Sequence, residues 1–325
     1  MKTSDIEFNL PRELVTYGPN PFRSDGKLCV IDRKAGTISH GHTIDDLTTY
    51  AKGREVWVNN SKLLRARVKL WRDTGHTVDM LLVRKIENGG GQKWIVEIPA
   101  AKALLDDRRE WLTEKKIEVQ LLAHVADQRW EVEVMGDLDI TTDGKLPIPP
   151  WVRQPTTPLE ESWYEPLYAK VPGGYFSPTG GIRLDRHILD VMKPRELTLH
   201  IALDSIRTIE AATLEEHIAE GIEPEPYEIP HEPGDGVFAV GTTVVKSIET
   251  WARTGNLKGK SDLFIGPGFE FKSVGALLTN LHLPRESLLA LTCAFGGTEL
   301  VMRAYRECVE RRYRFSDYGD VCLIL

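Results

Sequence analysis

Between Val237 and Gly297 the apolar residues fall into short blocks separated by glycine, proline and polar punctuation. The run Val237 to Val240 stops at Gly241-Thr242-Thr243, and directly after it Val244, Val245, Ile248 and Trp251 recur at helical spacing. The pattern predicts a strand, a tight turn and a helix. Backbone N–H groups and two hydroxyls then stand at a helix N-terminus, where a carboxylate or phosphate is stabilised. Leu263 to Ile265, ending at Gly266-Pro267-Gly268, and Ala276 to Thr279, ending at Asn280-Leu281-His282-Leu283-Pro284, predict two more strands. Three strand ends thus deliver glycines and polar residues close together.

The same reading applied from the N-terminus finds no long regular element in residues 1–26, where Pro11, Pro19, Pro21 and Gly26 interrupt the chain. From Lys27 the pattern predicts a hairpin turning at Ala35-Gly36. His40 and His42 stand two apart on one strand face. With no Cys, Asp or Glu at ligand spacing beside them in the sequence, they read as paired surface histidines, and no metal is expected. From Ala66 to about Asp143 short β-rich runs such as ARVKLW, KIEVQLLAHVA and RWEVEVMG follow one another, predicting a small barrel or sandwich. Asn88-Gly89-Gly90-Gly91 reads as a hairpin turn there. After the proline-rich return at Leu146 to Pro150 come a loop of small residues, Ser177-Pro178-Thr179-Gly180-Gly181, the helical text DRHILDVM, and LTLHIAL, a buried strand carrying His200. Residues 210–236 are acidic and proline-rich and predict a surface excursion or lid. The last elements are an amphipathic helix, with Leu300, Val301, Ala304, Tyr305, Cys308 and Val309 on one face, and the strand VCLIL.

At 325 residues the chain has room for two domains. No apolar run approaches membrane-spanning length, and no secretory leader is present, so a cytoplasmic protein without membrane association is expected. Cys29, Cys293, Cys308 and Cys322 form no CxxC pair and read as reduced, mostly buried thiols. The net charge of −7 requires any nucleic-acid contact to use a local basic cluster, the best being Arg303, Arg306, Arg311, Arg312 and Arg314. The same arginines also read as the solvated face of the terminal helix.

The segments AVGTTVVKSIE, SDLFIGPGFEFK, LLTNLHLPRESLLALTCAFGG and YRFSDYGDVCLIL resemble the S-adenosylmethionine:tRNA ribosyltransferase-isomerases of queuosine biosynthesis. LPIPPWV, YAKVPGGYFSPTGG and LTLHIAL fit the same family in the same order. The resemblance implies a mixed α/β fold: a large α/β domain built from both chain ends, 1–65 and 144–325, with a small β-barrel domain inserted at 66–143. It implies that S-adenosylmethionine is a substrate rather than a cofactor. A proton leaves the ribose C5′, adenine departs, and the ribosyl unit is transferred and isomerised onto a 7-aminomethyl-7-deazaguanine base in tRNA, with methionine released.

Such chemistry needs a base near C5′, an acid for adenine and a pocket for the sulfonium. His282 and His200, in matched blocks, are the candidates for proton transfer. Arg183 is the third catalytic candidate: it stands where the family usually has a histidine, in Gly181-Ile182-Arg183-Leu184, though a guanidinium cannot serve as a base at neutral pH. Thr242, Thr243 and Ser247 are candidates for the amino-acid carboxylate, and Asp262 for a ribose diol. Phe269 is a candidate for stacking or cation–π contact, while Phe264 reads as core. Thr179, Gly180, Gly181, Lys246 and Asn280 complete the expected pocket. Further departures are Lys246 for a usual arginine, Glu223 near a usual histidine, and Asn59-Asn60-Ser61-Lys62 for a usual Asn-Asp-Thr-Arg. They leave two other readings: a paralogue using S-adenosylmethionine with a small acceptor or by intramolecular elimination or cyclisation, and a catalytically silent RNA-binding relative.

Overall fold

A computed structural model describes residues 1–72, 74–86, 92–99, 110–148, 157–203, 205 and 208–325. The turn expected at Asn88 to Gly91 lies outside these residues. In chain order the strands are β1 (Lys27–Asp32), β2 (Thr37–Thr43), β3 (Val56–Asn59), β4 (Ser61–Leu63), β5 (Arg67–Trp71), β6 (Thr77–Ile86), β7 (Gln92–Glu97), β8 (Glu110–Thr113) and β9 (Glu118–Ala126). They continue with β10 (Arg129–Met135), β11 (Val171–Gly174), β12 (Arg195–Leu199), β13 (Glu225–Glu228), β14 (Val237–Val240), β15 (Lys258–Ser261), β16 (Val274–Asn280) and β17 (Val321–Ile324). The helices are α1 (Leu47–Tyr50), α2 (Pro158–Trp163), α3 (Arg186–Met192), α4 (Leu214–Ala219), α5 (Thr242–Thr254), α6 (Ser287–Gly296) and α7 (Thr298–Glu310).

Two compact units result, one from Met1–Lys62 and Pro149–Leu325, the other from Leu63–Ile148. The second is a closed antiparallel barrel in the order β10-β7-β6-β5-β8-β9. Its strands alternate, as in β10, where Trp130, Val132 and Val134 are buried and their neighbours are not. Period-two burial of this kind closes a barrel around one apolar interior and removes the exposed edges of an open sheet.

The first unit is built on a mixed sheet in the order β15-β13-β12-β3-β14-β16-β17-β1-β2. At its centre β12, β3, β14 and β16 run parallel. All four residues of β3 and of β14 are buried, as expected of strands covered on both faces. Antiparallel β17 inserts between β16 and β1. The parallel strands therefore end on one side, and β17 begins there, with Asn280 paired to Val321. That is the side on which open α/β sheets bind ligands.

Helix α5 covers the sheet with Val244, Val245 and Ile248, all fully buried, and terminates at Gly255, whose φ of 74° closes the last turn through a 2.7 Å bond to the Trp251 carbonyl. One α5 residue on the buried side is charged. Glu249 has no solvent exposure, pairs with Arg253 at 2.7 Å, and accepts the backbone N–H groups of Lys272, Ser273 and Val274 at 2.9 to 3.1 Å. Its carboxylate fixes where β16 begins.

Two segments differ from the sequence pattern. Leu263 to Ile265 is not a strand; the strand is the polar KGKS of β15 just before it. As an edge strand held only by β13, β15 needs no apolar face on its open side, whereas Leu263 and Ile265 pack inward beside the cleft described below. The acidic stretch 210–236 is no simple excursion. It contributes α4, opened by a reciprocal cap between Thr213 and Glu216, and β13, inside the main sheet.

Candidate active site

The strand ends surround a cleft. Phe176 to Gly180 form one wall, Gly241 to Thr243 and Lys246 the start of α5, Leu263 to Ile265 another wall, and Thr279, Asn280 and His282 the end of β16. His217, Glu223 and Glu225 from the acidic stretch, Glu286 to Leu288 at the start of α6, and Ser316 and Asp317 ahead of β17 complete it.

A directional chain of hydrogen bonds crosses this cleft. Asn280 Nδ2 donates to Thr179 Oγ1 at 2.9 Å, and Thr179 donates its hydroxyl to Asp317 Oδ1 at 3.0 Å. An amide NH2 can only donate, so the threonine proton must go to the carboxylate. Among the described residues three buried oxygens in the wall, Asn280 Oδ1, Ser177 Oγ and Ser205 Oγ, have no protein partner. Buried polar atoms are rarely left unpaired, so these three point to a ligand that completes them.

Asp317 is the perturbed acid of the site. Burial in the wall, reinforced by the nearby Glu286 carboxylate, raises its pKa to about 6, against opposing contributions from Thr179 and His282. His282 meets Thr279 Oγ1 through Nε2 at 2.9 Å and lies 3.6 Å from Glu286 Oε2 through Nδ1. The loop bearing Asp317 is rigid. Ser316 holds a left-handed φ of 80°, Gly319 donates back to the Ser316 carbonyl, and Arg183 donates to the carbonyls of Tyr318 and Gly319. Left-handed backbone at a non-glycine residue costs on the order of 1 kcal/mol and persists where the surroundings hold it.

At the opposite side of the cleft, α5 begins at Gly241, φ 93°, with no side-chain cap. A Cβ on Gly180 would stand 2.7 Å from the Gly241 Cα, so only glycine lets these two backbones touch. Helix-terminal N–H groups without a cap form an anion site. Thr243 Oγ1 accepts from Asn59 Nδ2 at 3.1 Å. Further along, Lys246 Nζ pairs with Glu225 Oε2 at 2.6 Å, and Glu225 Oε1 accepts the Ala202 N–H.

Of the residues singled out in the sequence, Thr179, Gly180, Thr242, Thr243, Lys246, Asn280 and His282 line the cleft together, as does Phe264. Gly181, Ser247, Asp262 and Phe269 do not. Gly181 packs under Tyr168, whose hydroxyl occupies the space of a Cβ. Ser247 is fully buried and bonds the Thr243 carbonyl within the helix. Phe269 stacks under Arg253 and against Phe271. His200 lies outside the wall, its Nδ1 bonded to Ser61 and its ring filling the space beside Gly173, and burial lowers its pKa. Arg183, 1% exposed, is spent on the carbonyls of Asp25, Tyr318 and Gly319 and does not line the cleft; burial lowers its pKa to about 10, which leaves it charged. Asp317, Glu225 and Glu286 were not anticipated. Asp317 lies 138 positions from Thr179, and no spacing signal joins them.

Comparison with known proteins adds an independent line. A family described as "Queuosine biosynthesis protein" matches residues 3–324. The S-adenosylmethionine:tRNA ribosyltransferase-isomerase of Aquifex aeolicus is 34% identical over 344 residues, covering all of both chains. The protein of that name from Thermotoga maritima is 34% identical over 345 residues, again covering both chains. A crystal structure of S-adenosylmethionine tRNA ribosyltransferase from Thermotoga maritima superposes with a TM-score of 0.53 at 27% identity, covering 99% of this chain and 100% of the other.

Proposed function

The chain belongs to the queuosine biosynthesis family of S-adenosylmethionine:tRNA ribosyltransferase-isomerases, and from that premise we propose that its cleft binds S-adenosylmethionine and transfers the isomerised ribosyl unit to a 7-aminomethyl-7-deazaguanine base in tRNA. The observation that carries the assignment of the cleft is the set of unpartnered buried oxygens in its wall, Asn280 Oδ1, Ser177 Oγ and Ser205 Oγ, together with the Thr179–Asp317 bond. Asn280 Oδ1 is an acceptor for a substrate N–H, as on the adenine amine. The open start of α5 takes the methionine carboxylate.

In this reading Asp317 is the base that removes the C5′ proton. Its raised pKa makes it a stronger base than an ordinary carboxylate, and Thr179 fixes its orientation. His282, oriented by Thr279 and Glu286, hands a proton to departing adenine. Arg183 acts on Asp317 through the backbone of the loop it clamps and is a positioning residue. Lys246 and Glu225 neutralise one another in the buried wall and set which charges the cleft admits. For the tRNA, Arg306, Arg311 and Arg312 are exposed, whereas Arg314 is bonded to Asn20, Asp25 and Asp320.

The test is incubation with S-adenosylmethionine, with and without tRNA bearing the aminomethyl-deazaguanine base, following adenine and methionine by mass spectrometry. Release of both only with that tRNA is the expected result. Products formed without tRNA would instead assign a small-acceptor or intramolecular reaction, and tRNA binding without products a silent relative.

A further inference from the structure

Away from the cleft, Cys29 on β1, His40 on β2 and Cys308 on α7 bring one sulfur, one ring nitrogen and a second sulfur within 4.8 Å of one another. Both cysteines are fully buried, and His40 is nearly so. We propose that Cys29 Sγ, His40 Nδ1 and Cys308 Sγ form a zinc site that ties the β1–β2 hairpin to α7.

Three features support it beyond proximity. First, the backbone is built to gather these side chains. The β1–β2 ladder is regular except at one bulge between Leu28 and Val30, where Cys29 alone faces both His40 and Gly41. Gly41 holds a φ of +84° there, and the space beside it is open, so glycine serves the bend and not a close contact. Bulges of this kind re-aim side chains.

Second, the imidazole is presented as a ligand. His40 Nε2 bonds the Glu307 carboxylate at 3.0 Å and Nδ1 bonds the Tyr313 hydroxyl at 3.1 Å. The Glu307 carboxylate can only accept, so Nε2–H faces it and the Tyr313 hydroxyl donates to Nδ1. Nε2 therefore carries the ring proton, held by a carboxylate, and the Nδ1 lone pair, which accepts the Tyr313 proton in the metal-free chain, is released to a metal when that hydroxyl turns away. Metal-bound histidines are oriented in this way.

Third, the charge closes. Zinc entry releases the two thiol protons to solvent and forms two Zn–S bonds and one Zn–N bond. Zn²⁺ with two thiolates and a neutral imidazole is uncharged overall, which suits a buried position. Tetrahedral ligands at zinc stand roughly 3.5–3.8 Å apart given its usual bond lengths, so the present spacing of up to 4.8 Å closes by about 1 Å at most. A water or the Tyr313 oxygen takes the fourth position. Sulfur and nitrogen donors favour zinc over magnesium or calcium.

The experiment uses the full chain produced in zinc-supplemented medium, with metal content and native mass measured, followed by cobalt titration of the metal-stripped protein. Expected are one zinc per chain and a thiolate-to-cobalt charge-transfer band, both retained in Cys293→Ser and lost in His40→Asn and Cys308→Ser. Glu307→Gln, a surface change, should weaken zinc affinity by roughly 10–100-fold through the orienting bond. Should a buried cysteine variant fail to fold, the His40 and Glu307 variants carry the test. Absence of zinc together with no charge-transfer band in the wild type overturns the site, as does a band of equal strength in His40→Asn.

Discussion

Thr179 donates its hydroxyl to Asp317 Oδ1 at 3.0 Å because its oxygen already accepts from Asn280. One amide, fixed at the end of β16, thereby sets the polarity of a bond between a loop and a carboxylate 138 positions further on. Asp317→Asn keeps the shape and removes the base. Adenine release should fall by about 10²–10⁴-fold with S-adenosylmethionine affinity changed by less than a few-fold. Single-turnover rates and calorimetric binding on the same preparation separate the two.

The pH dependence has a definite sign. Asp317, with its pKa raised to about 6, must be ionised to accept a proton, so the acidic limb of kcat/KM should rise as pH increases through about 6. Asp317→Asn should lose that limb. A wild-type profile flat from pH 5 to 7 would remove Asp317 from the role.

Stability should move the other way. In the folded chain the Asp317 carboxyl holds its proton to about pH 6, while the unfolded chain releases it near 3.8, as an ordinary aspartate does. The folded state binds more protons in that window, so stability falls as pH rises from about 4 to 6 and is constant beyond. Asp317→Asn escapes the loss and should be more stable by about 3 kcal/mol at pH 7, with little difference near pH 4. Urea midpoints at both pH values give the comparison.

Removing Lys246 strands a buried carboxylate. Lys246→Ala should cost about 3–5 kcal/mol, because Glu225 is left buried without its cationic partner. The double variant Lys246→Met with Glu225→Gln should recover most of this. A thermodynamic cycle over the four proteins shows whether the pair or either residue alone is responsible.

Glu249→Ala leaves three backbone N–H groups at the start of β16 without acceptors, at a cost of about 3 kcal/mol or more. Hydrogen exchange at Lys272, Ser273 and Val274 should accelerate before any change reaches the barrel unit.

Arg183→Met should lower stability and slow adenine release together, since the Tyr318 and Gly319 carbonyls lose their donor and the Asp317 loop its clamp. A kcat loss with unchanged S-adenosylmethionine affinity fits a positioning residue. Loss of binding would place Arg183 in contact with substrate.

The legible parts of this fold were those that repeat. Helix α5 follows from Val244, Val245 and Ile248, and the barrel strands from alternation such as Trp130, Val132 and Val134. Edge strand β15 was not legible, because a strand paired on one side by main-chain bonds needs no apolar period. The cleft was half legible: residues at strand ends, Asn280 and Thr242 among them, follow directly from where apolar runs stop. Asp317 and Glu225 did not, because an acidic residue in a loop is indistinguishable from solvated surface until folding brings Thr179 or Lys246 to it. The same blindness affected His40. Its sulfur neighbours come from another strand and a helix 268 positions away at Cys308.

Strand β17 fills a slot between β16 and β1, and its slot is the interior of the sheet. During synthesis the hairpin of β1 and β2 therefore waits, with one side of β1 unpaired, until residues 321–324 have been made. Two open edges of apolar backbone are an invitation to wrong partners, so this chain should depend on chaperones late in translation and refold slowly from denaturant. Nascent chains stopped short of β17 would have no Asp317 loop anchored in the sheet, and a prematurely terminated copy would be inert and prone to aggregate.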